Sequence, residues 1–158
     1  WDIINDQNMD QINALEDADP LKAQSLAYVE AEYKKAQAIA EMTDEEAQAT
    51  VVYGQSAYYF KEMDSYDAGE LASKLEKPVL VLQGEDDFQV YADKDYVLWK
   101  ERLAGKSNVT FKLYPGLNHF FVDYTGPGEG TLAEYGYPGF VAKEVIDDIG
   151  KWVLEAGK

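Results

Sequence analysis

Two side chains, Asp87 and His119, are spaced for acid–base chemistry. Asp87 ends the run Val79-Leu80-Val81-Leu82-Gln83-Gly84-Glu85-Asp86-Asp87, and His119, the single histidine, sits in Tyr114-Pro115-Gly116-Leu117-Asn118-His119-Phe120. The first run reads as a buried parallel strand that delivers a carboxylate at its C-terminal end. The second reads as the exit loop of the next strand, delivering an imidazole. Reactive groups of open α/β sheets gather in the crevice outside the carboxyl ends of the strands. An acid followed by a base is also how a Ser…Asp…His chain order ends. The serine is the member without a place.

Those two loops need elements to carry them. Residues 79–82 are continuously apolar, as suits a strand covered on both faces. Residues 91–103 read as a helix, with Gly105 just past its end as a stop. Val109-Thr110-Phe111-Lys112-Leu113-Tyr114 alternates, which predicts a second strand with one wetter face. Val141, Val145, Ile149 and Val153, with Trp152, predict a closing amphipathic helix.

The first third reads differently. Asp19-Pro20 is an N-cap with proline at the first helical position. Leu26, Val29, Tyr33, Ala36 and Ala40 recur at three- and four-residue steps and predict one apolar face. Thr43-Asp44-Glu45-Glu46 is a capping-box pattern, and a short helix is expected from Asp67 to about Leu75. The expected division is a helical region over 1–66 and an α/β region over 67–158. Two parallel strands alone leave both sheet edges unpaired. Further strands upstream of Trp1, or pairing with another chain, are therefore expected.

Composition bounds the partners. The 158 residues carry a formal net charge of −16, which argues against nucleic acid and anionic membrane surfaces. There is no cysteine, hence no disulfide or thiolate metal site. No apolar run approaches a membrane span, and the N-terminus shows no signal-peptide pattern. The localisation stays open between cytoplasmic and secreted.

From about Tyr58 onward the chain resembles bacterial α/β-hydrolase esterases of the dienelactone-hydrolase-like group. The residues that carry the resemblance are Tyr66-Asp67, the run from Lys77-Pro78 through Gln83-Gly84-Glu85-Asp86-Asp87-Phe88-Gln89-Val90, and Trp99-Lys100. They continue with Leu113-Tyr114-Pro115-Gly116-Leu117-Asn118-His119-Phe120-Phe121, Glu134-Tyr135 and Asp148-Ile149-Gly150-Lys151-Trp152. The resemblance implies Asp87 as triad acid and His119 as triad base of a serine hydrolase, with no cofactor and no metal. It implies that the helical first third corresponds to a cap, that the substrate is a small-molecule ester, and that the nucleophile lies in a missing N-terminal half. Alone, the chain is then expected to be inactive, and its strand edges would allow association with that half or with itself.

Each assignment has a competitor. Asp86 is the alternative acid, and an acidic turn can simply be solvated. Ser56, in Gly54-Gln55-Ser56-Ala57-Tyr58, falls in the correct order before Asp87 and His119. However, Tyr58 replaces the second glycine of a G-x-S-x-G elbow, and 31 residues to Asp87 leave too little chain for the intervening elements. Ser25, Ser65, Ser73 and Ser107 also lack the elbow context. The acidic group Asp86, Asp87, Asp93 and Asp95 lacks the spacing of a calcium loop. Tyr58, Tyr59 and Phe60 are the aromatics expected to touch substrate, although aromatics at helical spacing mostly pack cores. The turn-rich stretch Thr125-Gly126-Pro127-Gly128-Glu129-Gly130 could shape the leaving-group side or merely bridge to the last helix. The rival from another class is a non-catalytic interaction module that retains half of a hydrolase. An active peptidase or lipase of the same fold would share every one of these features.

Overall fold

A computed structural model describes residues 1–156 and divides the chain into two compact units, Trp1–Asp67 and Ala68–Lys158.

The first unit is built from α1 (Asp2–Asn13), α2 (Pro20–Ala38), a 3-10 turn (Ile39–Glu41), α3 (Asp44–Ala49), a short hairpin of β1 (Val51–Val52) and β2 (Gln55–Ser56), and α4 (Ala57–Asp64). Its helix starts follow local chemistry. Asp19 Oδ1 accepts from the Leu21 amide at 2.8 Å, with Pro20 opening α2. Thr43 and Glu46 form a reciprocal capping box at α3, at 3.2 and 2.8 Å. The core gathers Ala36, Ile39, Ala47, Val52 and Ala57, flanked by Trp1, Tyr53 and Phe60.

The apolar stripe of α2 departs from expectation at its end. Val29 and Ala36 are buried, but Ile39 is buried in place of Ala40, which is exposed. The helix tightens there to a 3-10 turn, whose three residues per turn rotate position 39 inward. Glu32 lies on the same stripe and is also buried; its carboxylate accepts the Tyr53 amide and pairs with Lys35. Tyr53 and Gly54, at φ of 47° and 77°, make the hairpin turn with both central residues left-handed.

The second unit holds α5 (Ala68–Ser73), β3 (Val79–Gly84), a π-helical turn (Ala92–Tyr96), α6 (Val97–Arg102), β4 (Val109–Tyr114), a 3-10 turn (Leu132–Gly136) and α7 (Lys143–Ala156). The fold is mixed α/β: β3 and β4 pair in parallel, Val79 opposite Val109 through Gly84 opposite Tyr114, with helices flanking the pair. The expected single helix over 91–103 is two segments, because the chain enters through the π turn before α6 begins.

Two further expectations are corrected. Val79, Leu80, Val81 and Leu82 are half-buried rather than covered on both faces; only Gln83 and Gly84 at the strand's end are buried. Along α7, Val145 is buried beneath Tyr114 and Leu117, whereas Ile146, Ile149 and Val153 stay exposed. The Tyr114 hydroxyl donates to Asp148 Oδ2 at 3.0 Å and Lys112 pairs with the same carboxylate, which ties α7 to β4. Burial, with Asp148 beside it, pushes the Tyr114 phenol well above its ordinary pKa. Lys112 in turn holds Asp148 below the usual carboxylate value.

Candidate active site

Beyond Gly84 the backbone of β3 runs hard against the loop that leaves β4. The Glu85 amide donates to the Tyr114 carbonyl at 2.9 Å, and the Asp86 amide to the Leu117 carbonyl at 3.0 Å. The two loops are thus stitched main chain to main chain before any side chain is considered. Gly84 permits the approach: a Cβ there would lie 2.3 Å from the Leu117 carbonyl oxygen and 2.5 Å from that of Asn118.

Asp87 emerges from this stitched turn with its side chain 5% exposed. Its Oδ1 accepts from the amides of Gln89 and Val90, each at 2.9 Å. Its Oδ2 accepts from Gln83 Nε2 at 2.9 Å and meets His119 Nδ1 at 2.9 Å. Four donors therefore aim at one carboxylate. Because the partner of Nδ1 is an acceptor, that nitrogen carries the proton, and Nε2 is left to face a reacting group. The imidazole is 37% exposed. The acid is thus out of reach of solvent while the base is not.

The structure brings Asp87, not Asp86, to the imidazole. Asp86 instead lines a cleft of about 560 Å³, together with Asp87, Glu85, Asp93, Tyr91, Tyr96 and Lys100. Asp95, on the adjoining π turn, accepts the Tyr91 amide at 2.9 Å. Burial, with Asp87 nearby, lifts its carboxyl above the ordinary value. Among the described residues, no group of three or more His, Asp or Glu side chains is arranged to hold a metal ion.

Three residues that hold this pair carry no role in the sequence reading: Gln83, Asn118 and Glu134. Gln83 Nε2 also reaches the carbonyls of Gly84 and Val90, at 3.1 and 3.0 Å, so one buried amide spans the acid loop. A polar residue closing an otherwise apolar strand was the signal available for it. Asn118 Oδ1 accepts from the amides of Phe120 and Val122, at 3.0 and 3.1 Å, and shapes the curl that presents His119. Glu134, distant in sequence, entered only through the Glu134-Tyr135 pair of the family resemblance, with nothing local to give its role. Next to it, Tyr135 packs between Phe88 and Phe120, at 5.2 and 4.4 Å between ring centres. Burial, with the Asp87 and Glu134 carboxylates beside it, raises its phenol to about 12.

Ser56 has a different employment. It closes β2 and caps α4: its Oγ accepts from the Tyr58 amide at 3.3 Å and reaches the Ala47 carbonyl at 3.4 Å. Tyr58, Tyr59 and Phe60 lie on α4 of the first unit. Tyr58 and Phe60 pack against that unit's core, and Phe60 meets Trp1 edge-on at 4.9 Å. Tyr59 is the exposed one of the three.

Comparison with known proteins bears on the family of the chain. The esterase EstD of Thermotoga maritima is 36% identical over 104 residues, which cover 66% of this chain and 24% of that protein. The chain therefore spans about a quarter of the length of the curated relative it matches. No solved structure matches the chain at comparable significance. Residues 34–152, three quarters of the sequence and both loops of the Asp87–His119 pair, match the family model described as "Dienelactone hydrolase family", and the chain belongs to that family.

Proposed function

We propose that this chain supplies the acid and base of a carboxylic ester hydrolase whose triad is completed by a serine outside these 158 residues. The observation that carries the reading is the 2.9 Å contact between a buried Asp87 and a solvent-accessible His119. Membership of the family and the likeness to a protein named as an esterase support the choice of reaction.

His119 Nε2 takes the proton of the serine hydroxyl as that oxygen attacks the ester carbonyl. Asp87 holds the imidazole in the Nδ1–H tautomer and stabilises the imidazolium as it forms. The proton passes to the departing alcohol, leaving an acyl-enzyme. Water, deprotonated by the same nitrogen, then releases the acid. The substrate is a small-molecule ester, as the likeness to a protein named as an esterase suggests. The first unit serves as a cap, and among its aromatics Tyr58, Tyr59 and Phe60 the exposed Tyr59 is the foremost candidate to touch substrate.

The nucleophile is placed elsewhere because Ser56 already caps a helix and no serine of the chain stands in a G-x-S-x-G elbow. Fluorophosphonate treatment of the 158-residue chain, followed by peptide mapping, is expected to give no adduct. An adduct on Ser56 would make this a complete and unusually compact hydrolase. In the intact enzyme His119→Ala should abolish hydrolysis of p-nitrophenyl esters; retained turnover would sink the assignment of His119 as the base.

A further inference from the structure

We propose that Glu134 and Tyr135, consecutive in the 3-10 turn Leu132–Gly136, are positioning residues that clasp the loop of the base to the loop of the acid. The proposal rests on the reading of Asp87 and His119 as the working pair.

Glu134 is the base-side arm. It is a carboxylate only 4% exposed. One oxygen accepts from Asn118 Nδ2 at 2.8 Å and the other from the Gly130 amide at 2.9 Å. Asn118, itself buried, spends its Oδ1 on the amides of Phe120 and Val122. Glu134 thereby fixes which way the Asn118 amide faces, and Asn118 fixes the curl of the backbone around His119. A buried carboxylate is costly to leave unpaired, and this one is spent on the residue adjoining the base.

Tyr135 is the acid-side arm. Its hydroxyl donates to Gln89 Oε1 at 2.7 Å, and the Gln89 amide donates to Asp87 Oδ1 at 2.9 Å. Its ring fills the space between Phe88, which follows the acid, and Phe120, which follows the base. A turn that only bridged to α7 would not need two consecutive side chains gripping opposite loops.

The single histidine makes the test direct, since ¹⁵N-histidine labelling of the 158-residue chain gives one imidazole signal set. The wild-type chain is expected to show the Nδ1–H tautomer with a slowly exchanging Nδ1 proton. Glu134→Ala should lose that proton signal. The double change Asn118→Asp with Glu134→Gln reverses donor and acceptor yet allows every hydrogen bond of the arm to re-form, and should restore it. Tyr135→Phe removes only a hydroxyl and should speed exchange of the Nδ1 proton. An unchanged signal in Glu134→Ala, unchanged exchange in Tyr135→Phe, or a natively folded double variant without the signal would overturn the clasp. A wild-type chain lacking the Nδ1 proton would instead sink the pairing of Asp87 with His119.

Discussion

Gly84 and Leu117 approach so closely that a single methyl group on the glycine would overlap the leucine carbonyl, at 2.3 Å. This backbone-to-backbone approach, sealed by the Asp86 amide on the same carbonyl, sets the distance between the acid and base loops. Gly84→Ala should therefore destabilise the chain by about 1–3 kcal/mol, the usual cost of overpacking. It should also shift the imidazole resonances of His119. Urea denaturation with the imidazole spectrum checks both; a variant of native stability with an unmoved spectrum would contradict the account.

Asp87→Asn separates geometry from charge. The amides of Gln89 and Val90 require an oxygen at Oδ1, so the new amide nitrogen takes the position facing His119. It can only donate there, which forces the imidazole proton onto Nε2. The ¹⁵N shifts of His119 should report that exchange of tautomers with the fold retained. In a complete enzyme the wrong tautomer lowers kcat by roughly 10⁴-fold. The same experiment on Asp86→Asn should leave the imidazole unchanged, because Asp86 does not touch it.

Ser56→Ala is expected to behave as the loss of a helix cap. The hydroxyl accepts the Tyr58 amide at the start of α4, and removing such a cap costs about 1 kcal/mol. Thermal or urea denaturation of the variant should show that loss, with no change at His119.

Asp95 gives the chain a pH signature. Burial raises its carboxyl above the ordinary value, 3.8. The folded state then holds the proton more tightly than the unfolded state, so this group removes stability as pH rises from 3.8 through the raised value. Asp95→Asn has no proton to release, and its carbonyl can still accept the Tyr91 amide. The variant should be more stable than wild type near neutral pH, with the advantage vanishing below the ordinary carboxylate range. Urea midpoints of both proteins across acidic to neutral pH decide it; an advantage that persists at low pH would contradict burial as the cause.

The two parallel strands, the closing helix and the Asp87–His119 pair were legible because each rests on local pattern, whereas the β1–β2 hairpin within the region read as helical was not. An apolar run, an alternating run and turn residues at fixed offsets announce where side chains leave a sheet. Asp19 and the Thr43–Glu46 box were legible for the same reason, since a cap and its amides are neighbours in sequence. The role of Glu134 was not, because its partner Asn118 is 16 residues away; the residue entered only as part of the Glu134-Tyr135 pair in the family resemblance. Glu32 was opaque in the same way, its oxygen meeting an amide 21 residues on. The exposed flank of α7 shows the converse limit: periodicity identifies a face fit for burial, but only the packed elements decide how much is covered.

The parallel register of β3 and β4 has a kinetic consequence. Val79 faces Val109, so the first ladder contact closes a loop of about thirty residues, and nothing in either strand can pair earlier. Non-local pairing of this kind is slow because chain entropy is lost before contacts repay it. The helices and hairpin of the first unit, made from neighbours in sequence, can assemble well before it. A slip of one residue would turn every side chain of β4 to the opposite face and carry the His119 loop away from Asp87. The approach of carboxylate to imidazole is thus expected late in folding, where it would report that the chain has found its correct alignment.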